Sequence, residues 1–310
     1  DYYSVLELFA TFNKAFDKHY VTGILGFNQE YNRWNWYKAE REGIISTSLP
    51  SIGLSSGDQF VSEQYADWAI RGLFFRANYT YDNRYIFEVN GRYDGTSRFP
   101  KEKRFGFFPS ASAAWRVDAE PFFESFLSTV SQLKVRASYG LVGNDVISSN
   151  YKDRFPYLST VAMDQWYDVM IGTNFDQKRG PILSIYGNEN ATWEESRKLD
   201  IGVEIGLFDS LNIIFDWFKE KRSGIFMQRT SLPSTFGMSG ITPWANIGKV
   251  DNSGVDISVD YNKAFSKDLI LSLRGTFTYA HNEIVEMDDL IGGHVEVNTS
   301  TLDDKVLYKS

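Results

Sequence analysis

Apolar and polar residues alternate along most of the chain, most clearly between Arg197 and Lys221. Successive side chains of a β-strand point to opposite faces, so alternation assigns each residue to one face. One face of this segment is apolar, the other carries charged residues and glycines, and Asp209-Ser210 interrupts the pattern. The pattern predicts a β-hairpin with one apolar face. The apolar series is Leu199, Ile201, Val203, Ile205 and Leu207, followed by Leu211, Ile213, Phe215 and Trp217.

About ten segments of this kind are spread over the chain. Most of them reach the roughly 9 to 11 residues that cross a bilayer at a tilt, whereas soluble strands typically have roughly 5 to 6. We expect strands at Val5 to Phe16, Tyr20 to Tyr31, Ala69 to Tyr81, Tyr85 to Tyr93, Phe105 to Val117, Gln132 to Leu141, Arg197 to Phe208, Leu211 to Phe226, Asn246 to Phe265 and Leu269 to His281.

The links between these strands alternate between short and long. The short ones are Asp17-Lys18-His19, Asp82-Asn83-Arg84, Asp209-Ser210 and Ser266-Lys267-Asp268, with a medium link at Asp118 to Ser131 in a short-link position. The long ones cover about 32–68, 94–104, 142–196, 227–245 and 283–310. Short turns on one rim and long loops on the other are typical of an up-and-down meander through a membrane, whereas a Greek-key sandwich does not sort its loops in this way.

The two faces of the predicted strands meet different surroundings. Charged and amide side chains on the second face need water, so we expect that face to line a wet lumen while the apolar face meets lipid. These polar residues are Glu88, Asn90, Arg92, Lys134, Arg136, Glu204, Asp256, Asp260 and Arg274. Aromatic girdles are expected at both interfaces: Trp34, Trp36, Trp193, Trp217 and Tyr279 near the long loops, and Phe16, Tyr81, Tyr85, Trp115, Phe208 and Phe265 near the short turns.

The fold class is therefore predicted to be all-β, an antiparallel up-and-down transmembrane β-barrel. About ten strands with two open edges would not enclose so wide a lumen, so the 310 residues are expected to form part of a larger barrel. A soluble all-β protein is the alternative, because a sheet with one face on a soluble core shows the same alternation of apolar and polar residues.

Composition narrows the choice of function. A net charge of −8 and a pI near 5.1 argue against nucleic acid as a partner, since phosphate binding draws on clustered Lys and Arg. No apolar run approaches the roughly 18 residues of a spanning helix, and the first residues do not resemble a signal peptide. The absence of cysteine excludes disulfides, thiolate metal sites and thiol nucleophiles.

Five segments carry a family resemblance when taken in order. They are Arg71 to Phe99, Arg104 to Val117, Leu133 to Asp145 (LKVRASYGLVGND), Thr192 to Phe208 (TWEESRKLDIGVEIGLF) and Asn246 to Val259 (NIGKVDNSGVDISV). In sequence and spacing the chain resembles the barrel of SusC/RagA-type TonB-dependent outer-membrane transporters. The resemblance implies a barrel of about 22 strands closed by an N-terminal plug. We expect the plug, the TonB box and the last barrel strand to lie outside this chain.

The resemblance also implies a function, which is import of oligosaccharides or peptides across the outer membrane of a Gram-negative bacterium. It implies a SusD-like surface lipoprotein as a lid and TonB acting on the plug, with no catalysis and no cofactor. Glycan and peptide cargo remain open. A passive porin-type channel, and a soluble β-rich carbohydrate-binding or glycosidase domain, are the alternatives.

Aromatic residues in the long loops are the candidate substrate-binding residues, because the faces of sugars and peptides stack on rings. They are Trp34, Trp36, Trp166, Tyr167 and Trp244. The competing interpretation places them in the interfacial girdle or in loop packing.

Other motifs are expected to be structural. Gly53 to Gly57 matches G-x-S-x-G without the strand and helix that a nucleophile elbow needs. His19, His281 and His294 have no metal-ligand spacing, and Glu194-Glu195 and the acidic group Glu286, Asp288 and Asp289 favour a solvated rim. No metal site is predicted.

Overall fold

A computed structural model of the chain describes residues 1–146, 155–171, 174–229, 231, 243–266 and 269–288. For 164–171 and 174–179 it describes the backbone alone. Within these residues the chain forms twelve β-strands joined by turns and short 3-10 segments. No helix in the described part of the chain is long and apolar enough to cross a membrane.

The strands are β1 (Tyr2–Phe16), β2 (His19–Arg41), β3 (Gln59–Tyr81), β4 (Tyr85–Thr96), β5 (Phe105–Arg116), β6 (Val130–Asn144), β7 (Thr160–Ile171), β8 (Asn174–Ile185), β9 (Glu194–Leu207), β10 (Leu211–Gln228), β11 (Trp244–Ala264) and β12 (Ile270–Glu286). Ten of them form one sheet in the order β1-β2-β3-β4-β5-β6-β9-β10-β11-β12, in which every neighbouring pair is antiparallel. The up-and-down meander of ten strands follows the prediction.

Strands β7 and β8 form a separate two-stranded antiparallel sheet within the predicted 142–196 link. No apolar alternation predicted this hairpin. It leaves β6 and β9 as direct neighbours in the large sheet, paired from Val130 opposite Leu207 to Asn144 opposite Glu194.

A second difference concerns β2 and β3, which are 23 residues long each and continue through most of the predicted 32–68 link. Strand β4 pairs with β3 only as far as Ile70. Strands β2 and β3 stay paired with each other beyond that point, and we call this part, residues 34–41 and 59–69, the hairpin arm. The alternation rule missed the arm because both of its faces mix polar and aromatic residues and so lack an apolar period.

The short turns place Asp and Asn in the left-handed region of backbone space. The φ angles are 49° at Asp17, 51° at Asp82, 54° at Asn83 and 51° at Asp209. Short polar side chains of this kind enter the left-handed region with less strain than other non-glycine residues, which suits tight hairpin turns. These turns set the register of each pair of strands that they join.

Aromatic rings line the short-turn rim of the apolar face on consecutive strands. His19 lies 5.0 Å from Phe16 and 5.1 Å from Tyr81 between ring centroids, and Tyr85 lies 6.4 Å from Tyr81 and 6.5 Å from Trp115. Rings at this level can be half in hydrocarbon and half in water. The arrangement agrees with the predicted short-turn girdle.

A buried carboxylate fastens this rim to the β5–β6 link. Glu120 is 8% exposed and accepts hydrogen bonds from Tyr85 Oη at 2.6 Å, Trp115 Nε1 at 3.0 Å and Arg84 Nη1 at 3.1 Å. The hydrogen bonds from Tyr85 and Trp115, helped by the charge of Arg84, hold the pKa of Glu120 below its ordinary value. The ionised carboxylate therefore stabilises the fold.

This geometry predicts a loss of stability in acid. Because the folded pKa of Glu120 lies below the unfolded value near 4.5, the stabilisation is present above pH 4.5 and is lost as pH falls through the folded pKa. We expect Glu120→Gln to lower the melting temperature of the full-length protein in detergent at pH 7 and to flatten its decline between pH 5 and pH 3, each value being an approximate working condition. Glu124→Gln, at an exposed position of the same link, is the control. Equal acid sensitivity in both variants would contradict the assignment.

Candidate lumen wall and extracellular mouth

The polar face of β6, β9 and β10 carries an ion-pair network centred on Arg136. Its guanidinium lies 2.7 Å from Asp216, 3.2 Å from Glu204 and 3.4 Å from Asp200. Lys134 lies 3.1 Å from the same Glu204. Two cations and three carboxylates thus meet on adjoining strands. Their side chains are 17% to 34% exposed, so the pairs stay in contact with solvent.

A glycine leaves the space that this network occupies. Gly202 stands between Arg136 and Asp216 in the register of the sheet. A Cβ atom there would lie 2.1 Å from Asp216 Oδ1 and 2.9 Å from Arg136 Nε. The charged side chains can therefore cross over β9 only because that residue has no side chain.

The same arrangement recurs on β2, β3 and β4. Arg92 donates to Asp94 at 2.8 Å and to Asn28 at 3.1 Å, and its guanidinium carbon lies 5.4 Å from the Phe74 ring centroid. Here Gly72 provides the space, since a Cβ atom would lie 1.8 Å from Asp94 Oδ1. The polar face is thus a wall of fixed charges and amides suited to contact water or a polar solute.

At the long-link end of this face lies the hydrophobic cluster of the described chain, built from Phe99, Phe108, Ala191 and Trp193. Phe99 and Ala191 are fully buried. The Trp193 ring meets Phe99 at 5.5 Å and Phe108 at 5.0 Å, edge to face, and its Nε1 donates to the carbonyl of Arg104 at 3.1 Å. The cluster holds the β4–β5 link and the segment before β9 together at the mouth.

Trp193 was predicted to lie in the lipid-facing girdle, and this prediction was wrong. Its side chain is 9% exposed and packs among loop residues. This position could not be predicted locally, because the rings that surround Trp193 come from β5 and from the β4–β5 link, far away along the chain.

Polar contacts fasten the same links. Arg98 forms an ion pair with Asp145 at 3.0 Å and lies over the Trp68 ring at 5.0 Å. Both charged side chains are at most 15% exposed, which makes the pair stronger than a solvated one. Asn246 donates to the carbonyls of Thr192 and Gly224, both at 2.8 Å. The described parts of these links are therefore packed against one another at the mouth.

The candidate binding residues Trp34 and Trp36 both lie on the hairpin arm. They stand two residues apart on β2, opposite Ala66 and Gln64 of β3, so they share one face. Asn28, Trp34 and Trp36 are separated by even numbers of residues on β2, so the two tryptophans lie on the same face as Asn28 and the polar wall. Trp34 is half-buried and Trp36 is 37% exposed. The structure thus places this pair above the wall, in the phase of the lumen.

The other candidates lie elsewhere. Trp244 begins β11, stacks on Phe226 at 5.7 Å and accepts a hydrogen bond from Asn188 at its carbonyl. Six strands separate β11 from β2 in the sheet, so Trp244 belongs to another sector of the mouth. The backbone of Trp166 and Tyr167 lies in β7, and their side chains are outside the described residues.

The stretches that resemble catalytic or metal motifs have ordinary structural roles. Ser55 is buried and its hydroxyl donates to the carbonyl of Ser51, beside a three-residue 3-10 turn. Glu286 pairs with Lys249, and Asp288 accepts from Ser231. Asp289 and His294 lie outside the described residues.

Comparison with known proteins identifies the family of the chain that forms this wall. A family model described as "TonB dependent receptor-like, beta-barrel" matches residues 1–305. The chain belongs to this family. Its members are outer-membrane proteins of Gram-negative bacteria, so the apolar face of the receptor sheet is the lipid face and the polar face lines the lumen.

Named relatives agree with this. TonB-dependent receptor P3 of Formosa agariphila is 29% identical over 286 residues, which cover 91% of this chain and 27% of that protein. TonB-dependent receptor SusC of Bacteroides thetaiotaomicron is 28% identical over 217 residues, which cover 69% of this chain and 20% of that protein. The resemblance to SusC/RagA-type receptors is confirmed. The chain spans about a quarter of the length of these relatives.

Solved structures establish the fold. The RagAB peptide importer in its closed-closed state matches with a TM-score of 0.78 at 21% identity, over 94% of this chain and 31% of that one. The open-open state matches with a TM-score of 0.78 over 92% of this chain. The predicted antiparallel transmembrane barrel is confirmed, and the ten-stranded sheet is a sector of it.

Several residues of the wall were not found from the sequence. Asp200 and Asp216 join Arg136 only because β6 pairs with β9 across a long link. The signal in the sequence was a glycine at a position of a strand that faces the polar side, such as Gly72 or Gly202. In retrospect it marks a point where long charged side chains cross the backbone.

The network predicts a penalty for any side chain at residue 202. We expect Gly202→Ala to lower the unfolding free energy of the full-length receptor by about 1–3 kcal/mol, because the added methyl group displaces the Arg136–Asp216 pair. The measurement is denaturant unfolding in detergent micelles. Gly275→Ala is the matched control, since nothing lies within 4 Å of a Cβ atom there. An unchanged Gly202→Ala variant would refute the packing argument.

The mouth cluster predicts local opening when Trp193 is truncated. We expect Trp193→Ala to weaken the packing by about 3–5 kcal/mol and so to increase trypsin cleavage at Lys101 and Lys103 in the β4–β5 link. Trp193→Phe keeps a ring and loses the hydrogen bond to Arg104, so its effect should be smaller. Trp217→Ala, on the lipid face, should leave cleavage at these lysines unchanged. Equal cleavage in all three variants would disprove the role of Trp193.

Proposed function

We propose that the complete receptor imports oligosaccharides or peptides across the outer membrane in a TonB-dependent manner, with a SusD-like surface lipoprotein as its lid. The observation that carries the proposal is the combination, in a TonB-dependent receptor barrel, of a charged lumen wall with two tryptophans above it on the same face of the sheet, one half-buried and one exposed. Fixed charges and rings of this kind suit a large polar solute with stacking faces.

The hairpin arm is the first proposed contact for cargo. Trp34 and Trp36 stand on one face of a strand in a hairpin that continues beyond β4, so both rings can meet one extended ligand. Successive residues on one face of a strand are spaced by roughly 6 to 7 Å, comparable to the spacing of neighbouring sugar rings or of alternate peptide side chains. The arm thus offers two stacking positions in line.

Trp244, together with Trp166 and Tyr167, forms a second proposed contact in another sector of the mouth. Trp244 is already stacked on Phe226 and is 38% exposed, so one of its ring faces is occupied by protein. We expect Trp244 to contact the ligand through its ring edge or to support the loop before β11. Its contribution to ligand binding should be smaller than that of the arm tryptophans.

The proposed partners follow from relatives and not from contacts in this chain. The RagAB structures are described as a peptide importer, and SusC is a TonB-dependent receptor by name. A lid over the long-link rim would meet the arm and the Trp193 cluster, which both lie in the described part of that rim. TonB would act on the plug of the complete protein.

Uptake by cells tests the function directly. Cells that express the full-length receptor and its lipoprotein partner should accumulate labelled oligosaccharide or peptide pools, and deletion of TonB should abolish the accumulation. A passive porin would conduct the same solutes without TonB, so persistent uptake would overturn the proposal. Comparison of glycan and peptide pools assigns the cargo class.

Binding by the purified receptor complex tests the arm. The double change Trp34→Ala and Trp36→Ala should weaken affinity for the imported cargo by roughly tenfold to a hundredfold, since each of the two stacked rings contributes about 0.7–1.4 kcal/mol. Trp217→Ala is the matched control on the lipid face. Affinity that stays unchanged in the double variant, while uptake still requires TonB, would remove the arm from the site and leave the import function standing.

A further inference from the structure

One edge of the hairpin arm carries main-chain groups that have no partner strand. Strand β4 pairs with β3 only as far as Ile70, and the chain then leaves β3 at Ser97. The N–H of Ser97 donates to the carbonyl of Ala69 at 2.9 Å, and its hydroxyl accepts from the N–H of Ala69 at 3.0 Å. Beyond Ala69, no strand among the described residues pairs with this side of β3. We call residues 61–67 of β3 the open edge.

The register of β2 and β3 identifies the groups that face the open edge. Both main-chain groups of Ala69 point to the β4 side, and in a regular antiparallel strand every second residue does the same. The β2–β3 ladder has no register shift. The N–H and C=O groups that point to the open edge are therefore those of Val61, Glu63, Tyr65 and Asp67. Such a row is a template for another strand.

The open edge carries negative charge. From Asp58 to Ile70 the chain has three acidic residues and no Lys or Arg. Asp67 lies opposite Arg33 of β2. Glu63, in contrast, is exposed and forms no ion pair or side-chain hydrogen bond with any of the described residues. A carboxylate without a cation in the middle of the edge favours a basic side chain opposite it on an added strand.

The spacing of the main-chain groups selects the chemical class of the ligand. Residues two apart on a strand are separated by roughly 6 to 7 Å, and each of them offers one donor and one acceptor. An extended peptide has complementary groups at the same interval, whereas a neutral glycan has no alternating N–H and C=O groups. Val61 is 82% exposed and Tyr65 is 51% exposed, so solvent reaches this side of β3. The open edge therefore suits a peptide.

We propose that the open edge binds a basic peptide in extended conformation as an added antiparallel strand. The site rests on the proposed function, in which peptides are one class of cargo, and it gives that class a main-chain contact. A Lys or Arg of the peptide lies opposite Glu63. Alternate side chains of the peptide lie on the other face, beside Gln64 and Ala66, which are the residues opposite Trp36 and Trp34. The added strand thus adjoins the arm tryptophans.

Antiparallel pairing specifies which N–H groups of the peptide are needed. Two residues that face each other in a hydrogen-bonded pair exchange both N–H···O bonds, and their side chains share one face. The peptide residue opposite Glu63 therefore turns its N–H towards β3, and its two neighbours turn theirs away. In a peptide of alternating lysine and threonine, the lysines take the positions opposite Glu63 and Tyr65, because Glu63 attracts their charge.

The test measures binding of such a peptide, roughly eight residues long, to the purified full-length receptor in detergent without TonB. Two further peptides carry N-methyl groups, one on every lysine and one on every threonine. We expect the unmodified peptide to bind and the threonine-methylated peptide to bind within about twofold of it. The lysine-methylated peptide should bind at least about tenfold more weakly, because it loses several hydrogen bonds to the open edge.

Variants of the receptor locate the site. Val61→Pro removes one N–H from the open edge and leaves the β2–β3 ladder intact, since that N–H points away from β2. It should weaken binding of the unmodified peptide by about fivefold to tenfold, whereas Val61→Ala, which keeps the N–H, should leave binding unchanged. Glu63→Gln should weaken binding by about twofold to fivefold, as is typical of an exposed ion pair.

Several outcomes would overturn the site. Equal affinities of the two methylated peptides would exclude the added strand, and equal affinities of Val61→Pro and Val61→Ala would exclude the open edge. An unchanged Glu63→Gln variant would remove the preference for a basic peptide. If uptake requires TonB but the peptide does not bind, the open edge fails and the import function stands. If the peptides bind as expected but uptake does not require TonB, the import function fails and the site stands.

Discussion

Every backbone N–H and C=O group that lies in hydrocarbon must find a partner within the protein, because no water is present to satisfy it. In this chain the partner is the neighbouring strand, and the antiparallel ladder of ten strands follows from that requirement. Once the strands are paired, alternate residues of each strand necessarily face the lipid and the lumen. The charged wall, the girdles and the position of each loop depend on this single constraint.

The polar face shows how the side chains of a lumen wall stay ordered although they are in contact with solvent. Arg136 meets three carboxylates from two adjacent strands, and Gly202 leaves the room in which they meet. A solvated ion pair alone contributes little to stability, whereas a network with several partners around one guanidinium holds each side chain in place. Order in the wall is thus a product of glycine placement as much as of charge.

The sequence predicted the elements that depend on local alternation and left out those that depend on distant contacts. The strand from Glu194 to Leu207 could be predicted, because its apolar period is complete. The hairpin arm could not, since both of its faces mix polar and aromatic residues and show no regular apolar period. The predicted position of Trp193 was wrong because a tryptophan at the end of a strand shows the same sequence pattern in a lipid-facing girdle and in a loop core. The arm tryptophans were identified as binding candidates, but only the register placed them in the lumen phase.

The direct pairing of β6 with β9 has a consequence for how such receptors diversify. The chain leaves the sheet at Asn144 and returns to it at Glu194, on adjacent strands, so the register on either side is set without the intervening residues. Within that intervening part, β7 and β8 form their own two-stranded sheet, whereas Asp145, Ala191 and Trp193 are tied to the mouth. The β7–β8 hairpin is therefore the exchangeable module, because its length and sequence can change without altering the register of the lumen wall.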